Sequence, residues 1–449
     1  MSTYPQINPY IQFHKTLIIK YINHKNKQKI CPHHFLDIPI KLHSFADRIK
    51  HTFMKNITLF FILMLALSAC TSQPKAPADS TMPVLDLTKD YPEKTIDLQE
   101  IADVEYIPLE TTEKSIAMIH NYPYISDKYI VNCDLNGPVH FYDRKGKHLY
   151  AIHALGQGPQ EYYGIVAFTV DFPKEEFYIY DLQKLQVYSF TGEWKRTLKV
   201  PEGMRYDNMF NYDEHYLICE NAFHDWWNFE NLSNDKTPYY LINKETGTPT
   251  PLDIIVENRI SKTMEKRIEH IDAQRARRHF EQMSVITSLI ANNNDFLIAD
   301  FGLDTLYCYK DDILTPLAVQ YPSVHSSTPP VVIAPRFYTD KYLFFKPVEM
   351  KFVKEDVRLP YTLAPTLMWN RTNNEIYKVK LYDSDFPEKD LRHTMRRTWV
   401  GKTNCFLIDY KAPALCEAYE AGKLKGKLKE VASRLKDDDN GIFAIYKIK

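Results

Sequence analysis

Two adjacent tryptophans behind a His-Asp pair, His224-Asp225-Trp226-Trp227, carry the clearest binding chemistry in this chain. Indole faces stack on sugar rings or clamp peptides, and aromatic side chains are favoured at binding surfaces. The competing reading is that one or both rings cap an apolar edge between structural units. Trp369 and Arg371, in Trp369-Asn370-Arg371, offer a smaller version of the same chemistry. A third candidate is the loop motif Gly156-Gln157-Gly158-Pro159-Gln160-Glu161-Tyr162. Its glycines can turn backbone N–H groups toward an anion. It lacks the Lys-Ser/Thr pair and the following helix of a phosphate-binding loop. A plain connection, with Gly for positive φ and Pro for stiffness, explains the same residues.

No catalytic residue is assigned. The sequence has no GxSxG nucleophile elbow, no CxxC pair and no EF-hand loop. Its carboxylates are scattered without ligand spacing, so no metal site and no cofactor are expected. Calcium enters only under the alternative of a propeller lyase or hydrolase acting on glycans, lactones or peptides. The basic run RARR at 275–278 reads as a solvated face or a partner contact.

The elements that must position these residues follow a repeat. A polar turn and then an aromatic-aliphatic run recurs as SDKYIV, KEEFYI, DEHYLI, NNDFLI, TDKYLF and KTNCFLI. The aromatics align at Tyr129, Phe177, Tyr216, Phe296, Tyr342 and Phe406, at intervals of 48, 39, 80, 46 and 64 residues. Three intervals match a four-stranded blade, and the two long ones require insertions. The stretch 256–284 supplies one, with Ile260, Met264, Ile268 and Ile271 at helical spacing, and predicts a surface helix. The charged, Pro-containing stretch 346–365 supplies the other. Several units continue into a second hairpin that breaks at Gly146, Gly192 or Gly247, with Lys310-Asp311-Asp312 turning the fourth. Six such units predict an all-β, six-bladed propeller of four-stranded antiparallel blades. The strand-like TIDLQEIADVEYIP at 95–108 and GIFAIYKIK at 441–449 are placed to close the ring. Leu424, Leu428, Val431 and Leu435 predict one short C-terminal helix.

The N-terminal region reads differently. An apolar run at 57–67 lies between Met54-Lys55 and Leu67-Ser68-Ala69-Cys70, the layout of a secretory signal. It is shorter than the roughly 20 residues that span a bilayer. The LSAC end resembles the lipobox of bacterial lipoproteins, in which the Cys is lipidated. We therefore expect translation to start at Met54. Residues 1–53 are then a disordered upstream extension, 54–70 a lipoprotein signal peptide, 71–83 a flexible tether and 84–449 the propeller. The whole chain has net charge −1; residues 1–70 hold nine basic and two acidic residues, which leaves −8 for the remainder. That balance gives no electrostatic case for nucleic-acid binding. Of the remaining cysteines only Cys405 and Cys416 are a candidate pair.

The stretches GQGPQEY at 156–162, DTLYCYKDDILTP at 304–316 and LKEVASRLKDDDNGIFAIYKIK at 428–449 together resemble six-bladed β-propeller lipoproteins of Bacteroidetes, distantly akin to the propeller of TolB. The resemblance covers about residues 95–449. Gln160 stands where that family usually has Gly, which leaves the local turn conformation open. The resemblance implies a lipid-anchored envelope protein and little about activity. The expectation is a non-catalytic propeller, held at the membrane through Cys70, that binds an envelope protein, peptide or glycan. The expected address is the periplasmic side of the outer membrane, with the cell surface as the alternative. Oligomeric state is left open.

Overall fold

The computed structural model describes residues 82–449 apart from 114, 116–122, 134–136, 222–223, 226–227, 262, 273–274, 285–287, 293–294, 351–363, 390, 392–394 and 397–403. The upstream extension, signal, Cys70 and nearly all of the tether lie outside the described residues. Among the described residues no helix is long and apolar enough to cross a membrane.

Six sheets succeed one another along the chain. Blade 1 consists of Tyr124–Ile125, Tyr129–Cys133, Val139–Asp143 and His148–Ile152. Blade 2 consists of Ala167–Asp171, Glu176–Tyr180, Lys184–Ser189 and Trp194–Lys199. Blade 3 consists of Tyr206–Asn211, Tyr216–Asn221, Tyr239–Asn243 and Pro249–Pro251. Blade 4 holds Leu289–Asn292, Asp295–Ile298, Thr305–Lys310 and Ile313–Tyr321. Blade 5 holds Val331–Tyr338, Tyr342–Glu349, Leu367–Asn370 and Glu375–Tyr382. Blade 6 holds Met395–Arg396, Cys405–Tyr410, Ile442–Ile448 and, from far upstream, Ala102–Pro108. All six repeat aromatics lie at or next to the start of the second strand of their blade.

Second and third strands are sandwiched between neighbouring blades, so both faces are covered. That is why Phe177-Tyr178-Ile179-Tyr180 is buried throughout rather than alternately. Phe177 stacks on Tyr188 at 5.3 Å, and Phe141 meets Phe190 across the blade 1–blade 2 seam at 5.0 Å. Burying one such ring contributes about 1.5–3 kcal/mol. Polar pairs also cross seams. The Lys244 ammonium in blade 3 reaches Asp171 of blade 2 at 2.5 Å, and both side chains are almost wholly buried. Burial pulls the Lys244 pKa down, and the Asp171 carboxylate opposes that shift. The ammonium also donates to the Asp213 carbonyl. Removing one partner of such a pair costs about 3–5 kcal/mol.

Ring closure is antiparallel and runs the full strand, from Ala102 opposite Ile448 to Pro108 opposite Ile442. Asp383, fully buried, fastens it: Tyr106 donates to its carboxylate at 2.8 Å and Gln99 at 2.7 Å, and the Tyr446 hydroxyl donates as well. Before closing the ring, the N-terminal segment lies along two other blades. Val84–Asp86 pairs in parallel with the outer strand of blade 4, and Glu93–Asp97 with that of blade 5.

One expectation needs correction. The insertion at 256–284 is not a helix but a hairpin of Thr263–Asp272 and Arg275–Ser284, paired over ten positions. This register sets Lys266 opposite Glu281, Glu269 opposite Arg278 and Asp272 opposite Arg275. Opposite charges directly across a ladder favour a sheet. The expected short C-terminal helix is α2 (Gly426–Ala432), which carries Leu428 and Val431, with Leu424 and Leu435 just outside it. A further short helix, α1 (Ala412–Glu420), precedes it, and Gly422, with φ +68°, lies between the two. Leu424 and Leu428 are buried as expected. Cys405 and Cys416 are both free thiols. The insertion expected at 346–365 lies mostly outside the described residues, and its first part, 346–349, ends a blade 5 strand.

Candidate functional site

Strand alternation gives each blade two unlike ends. Connections from the first to the second strand and from the third to the fourth share one end. Apart from 397–404 these span five residues or fewer. Connections from the second to the third strand, and from blade to blade, share the other end. There lie 153–166, 222–238, 252–288, 350–366 and 411–441. The long-connection end therefore carries the GQGPQEY motif, the His-Asp-Trp-Trp loop, the inserted hairpin and both C-terminal helices.

Within the connection 222–238, His224–Asp225 pairs antiparallel with Asn228–Leu232 as a small hairpin. Trp226 and Trp227 lie outside the described residues. The root of this loop is firmly tied. The Asp235 carboxylate accepts from the Asn221 amide at 2.7 Å, the Tyr240 hydroxyl at 2.9 Å and the Thr237 N–H at 2.9 Å. Burial, then Asp235 itself, raises the Tyr240 pKa against the hydrogen bond from Thr237, so the phenol stays a donor. Arg259 donates to the Asn221 carbonyl at 2.8 Å and reaches the Asp235 carbonyl at 3.5 Å. Arg259 stands just before the Thr263–Asp272 strand. One guanidinium thus joins the bases of two neighbouring hairpins. Sequence reasoning missed this residue, because a lone Arg before a polar insertion carries no signal.

The GQGPQEY loop joins blade 1 to blade 2 and satisfies its own groups. Gly156 N–H donates to the Tyr162 carbonyl at 2.9 Å, and Gly158 N–H to the Glu161 carboxylate at 2.8 Å. The donor that would attract an external anion already holds an internal one. A Cβ on Gly156 would lie 1.9 Å from Glu161 Oε2, so a side chain here would have to displace that carboxylate. No residue of the motif has positive φ, which explains how Gln160 replaces Gly without strain. Blade 2 takes up the carbonyls: Gln186 donates to Pro159 at 2.9 Å and Tyr188 to Gln160 at 2.6 Å. Tyr162 is buried and donates to the Gly137 carbonyl at 3.1 Å, while Gln157 is exposed.

Trp369 and Arg371 are not brought to this place. They sit at the short-turn end of blade 5. Trp369 is 2% exposed, with its indole N–H on Asn374 Oδ1 at 2.9 Å, so no ring face is open to a ligand. Arg371 donates to the Thr339 carbonyl at 2.7 Å and lies 5.0 Å over the Tyr338 ring. Both residues pack the blade. At the short-turn end Asn292, Asp340 and Asn404 link blades 4, 5 and 6 by mutual hydrogen bonds. Among the described residues no group of three or more His, Cys, Asp or Glu is placed to hold a metal ion.

With six blades and two unlike ends established, the relatives fall into place. The chain belongs to the family of a domain of unknown function, DUF4934, matched over residues 82–321. Among solved structures it is similar to a protein of Bacteroides fragilis NCTC 9343 inferred to be exported. That match has 11% identity and a TM-score of 0.54, covering 82% of this chain and 99% of the other. A DUF4221 member from Bacteroides vulgatus matches at 12% identity and a TM-score of 0.42, over 78% and 97% of the two chains. No curated protein is significantly similar in sequence. At these identities the likeness concerns the fold alone.

Proposed function

We propose that this protein is a lipid-anchored envelope propeller that captures a protein, peptide or glycan on its long-connection end, without catalysis. The observation that carries this reading is the tied base of the two neighbouring hairpins at 222–238 and 263–284. Loops on a rigid scaffold are the usual carriers of recognition, and the Asp235–Asn221–Arg259 network fixes the root from which these loops extend. The signal-like segment and Cys70 supply the anchor, and the tether at 71–83 supplies reach. The exported Bacteroides relative is consistent with an address beyond the cytoplasm.

The reading is tested in cells. Wild type is expected in the membrane fraction and Cys70→Ala in the soluble fraction, with metabolic acyl labelling lost in the variant. Equal partitioning of the two would remove the anchor from the proposal. Crosslinked partners captured by the wild type should be lost when 224–232 is replaced by a short Gly-Ser link. An unchanged set would exclude that hairpin as the contact.

A further inference from the structure

We propose a second site, independent of the hairpins: a cleft at the closure seam that binds a small anion carrying an apolar body. The cleft encloses about 490 Å3, within the range of small-molecule sites. Three separate pieces of chain wall it. One is the connection that leaves the closing strand, at 108–111. The second is the tight blade 1 turn at 145–147. The third is the end of helix α2 and the residues after it.

These walls are tied to one another. The Glu110 N–H donates to the Gly146 carbonyl at 2.8 Å. Asn440 donates through its backbone to Thr111 Oγ1 at 2.7 Å and through its side chain to the Glu110 carbonyl at 2.8 Å. Leu109 is buried and Val431 and Leu435 are half-buried, which gives the cleft an apolar lining. A preformed cleft with apolar lining spends little on reorganisation when a ligand enters.

Its charges are unevenly used. The carboxylate of Glu110 accepts from the His148 N–H at 2.8 Å, and that of Asp439 from the Lys436 N–H at 2.8 Å. Glu430, on α2, is exposed and is the one carboxylate of the lining without such a donor. By contrast Lys145, Lys147 and Arg434 all line the cleft, and none of their side chains has an ion pair or hydrogen bond among the described residues. The lining carries three cations and three carboxylates, but two of the carboxylates already hold backbone N–H groups. The groups left to meet a guest are three cationic donors and Glu430, a balance that favours an acidic head. The cations come from two of these walls, the blade 1 turn and the region after α2. An acidic head held between them leaves the apolar part of the guest against Leu109, Val431 and Leu435. Charge and apolar contact are then both required, which neither a simple salt ion nor a neutral hydrophobe supplies.

The test is calorimetric titration of the intact protein with hexyl phosphate, with hexanol and hexylammonium as matched controls. Saturable binding of hexyl phosphate alone is expected. Lys147→Ala with Arg434→Ala should weaken it about tenfold or more, the loss expected when charge-assisted hydrogen bonds are removed. Lys147→Arg should retain binding, which shows that a folded protein with the charge preserved is competent. Absence of saturable binding by wild type, equal binding of hexylammonium, or full binding by the double variant would each overturn the assignment. Loss of the partners held by the 224–232 hairpin would leave this result untouched, so the two readings fail separately.

Discussion

Gly146 and Gly203 separate two costs that glycine substitutions usually mix. Both have positive φ, +86° and +81°. A Cβ on Gly203 meets nothing within 4 Å, whereas on Gly146 it would lie 2.0 Å from the Pro108 carbonyl oxygen. Gly203→Ala should cost the left-handed strain alone, about 1–2 kcal/mol. Gly146→Ala should cost more than twice as much, because backbone must move; denaturant midpoints of the two variants check the ratio. His140 shows a different residue-scale constraint. It is 2% exposed, opposite Asn132 across the strands, with Nδ1 3.3 Å from His148 Nε2. Among the described residues, its Nε2 and both polar side-chain atoms of Asn132 have no hydrogen-bond partner. Burial, then the neighbouring His148 and His153, lowers the His140 pKa to about 4. Glu110 faces His148 and opposes the lowering of that ring. Above roughly pH 6.5 His140 is neutral in both folded and unfolded chains and has no effect. Below it the unfolded chain takes up a proton that the folded one refuses until about pH 4, so stability is lost through that window. Urea unfolding at pH 7, 5.5 and 4.5 should show a shallower loss for His140→Gln than for wild type. Parallel losses would remove His140 as a cause.

At the scale of elements, the two belt strands deserve the clearest experiment. Val84–Asp86 and Glu93–Asp97 cover the outer edges of blades 4 and 5. An uncovered strand edge is a template for pairing with another chain. Deleting 82–97 should therefore raise self-association, read by light scattering, while far-UV circular dichroism retains its β signature. A monodisperse deletion variant would show that these edges need no cover. The belt was not legible as separate strands in the sequence. A three-residue strand such as Val84–Asp86 has no period to detect, and 95–108 reads as one strand although it is split by the turn at Leu98–Ile101. The second strands were legible for the opposite reason, since coverage on both faces demands a continuous aromatic-aliphatic run after each polar turn. The inserted hairpin misled because Ile260, Met264 and Ile268 are four apart. A spacing of four fits one face of a helix and equally one face of a strand. Ile271 favoured the helix, and the cross-strand register appears only once Thr263–Asp272 is paired with Arg275–Ser284. Trp369 shows the limit at the site. Its neighbours Asn370 and Arg371 look like loop in sequence, but Asn374 Oδ1 supplies a buried partner for the indole.

For the whole molecule, the unequal ends of the blades organise function more than any single residue does. At the short-turn end Asn292, Asp340 and Asn404 tie blades 4, 5 and 6 to one another. The other end carries the longest connections, and the seam cleft opens beside the helices that arise there. That asymmetry was partly legible, because the two long repeat intervals announced insertions without saying which end they share. The end follows from strand direction alone once six blades are counted.

Closure by Ala102–Pro108 on Ile442–Ile448 also sets a schedule for biosynthesis. A chain that emerges N-terminus first presents the closing strand early, and its partner appears only after some 340 more residues. At ribosomal rates of about 5–20 residues per second, that strand waits roughly 20–70 s without its mate. The order of emergence is the same on the far side of a membrane: blades 1 to 5 can form in turn, but the circle cannot. A nascent chain stalled anywhere before residue 442 would hold an open arc with one orphan strand, and such arcs are the species most in need of a chaperone's hold.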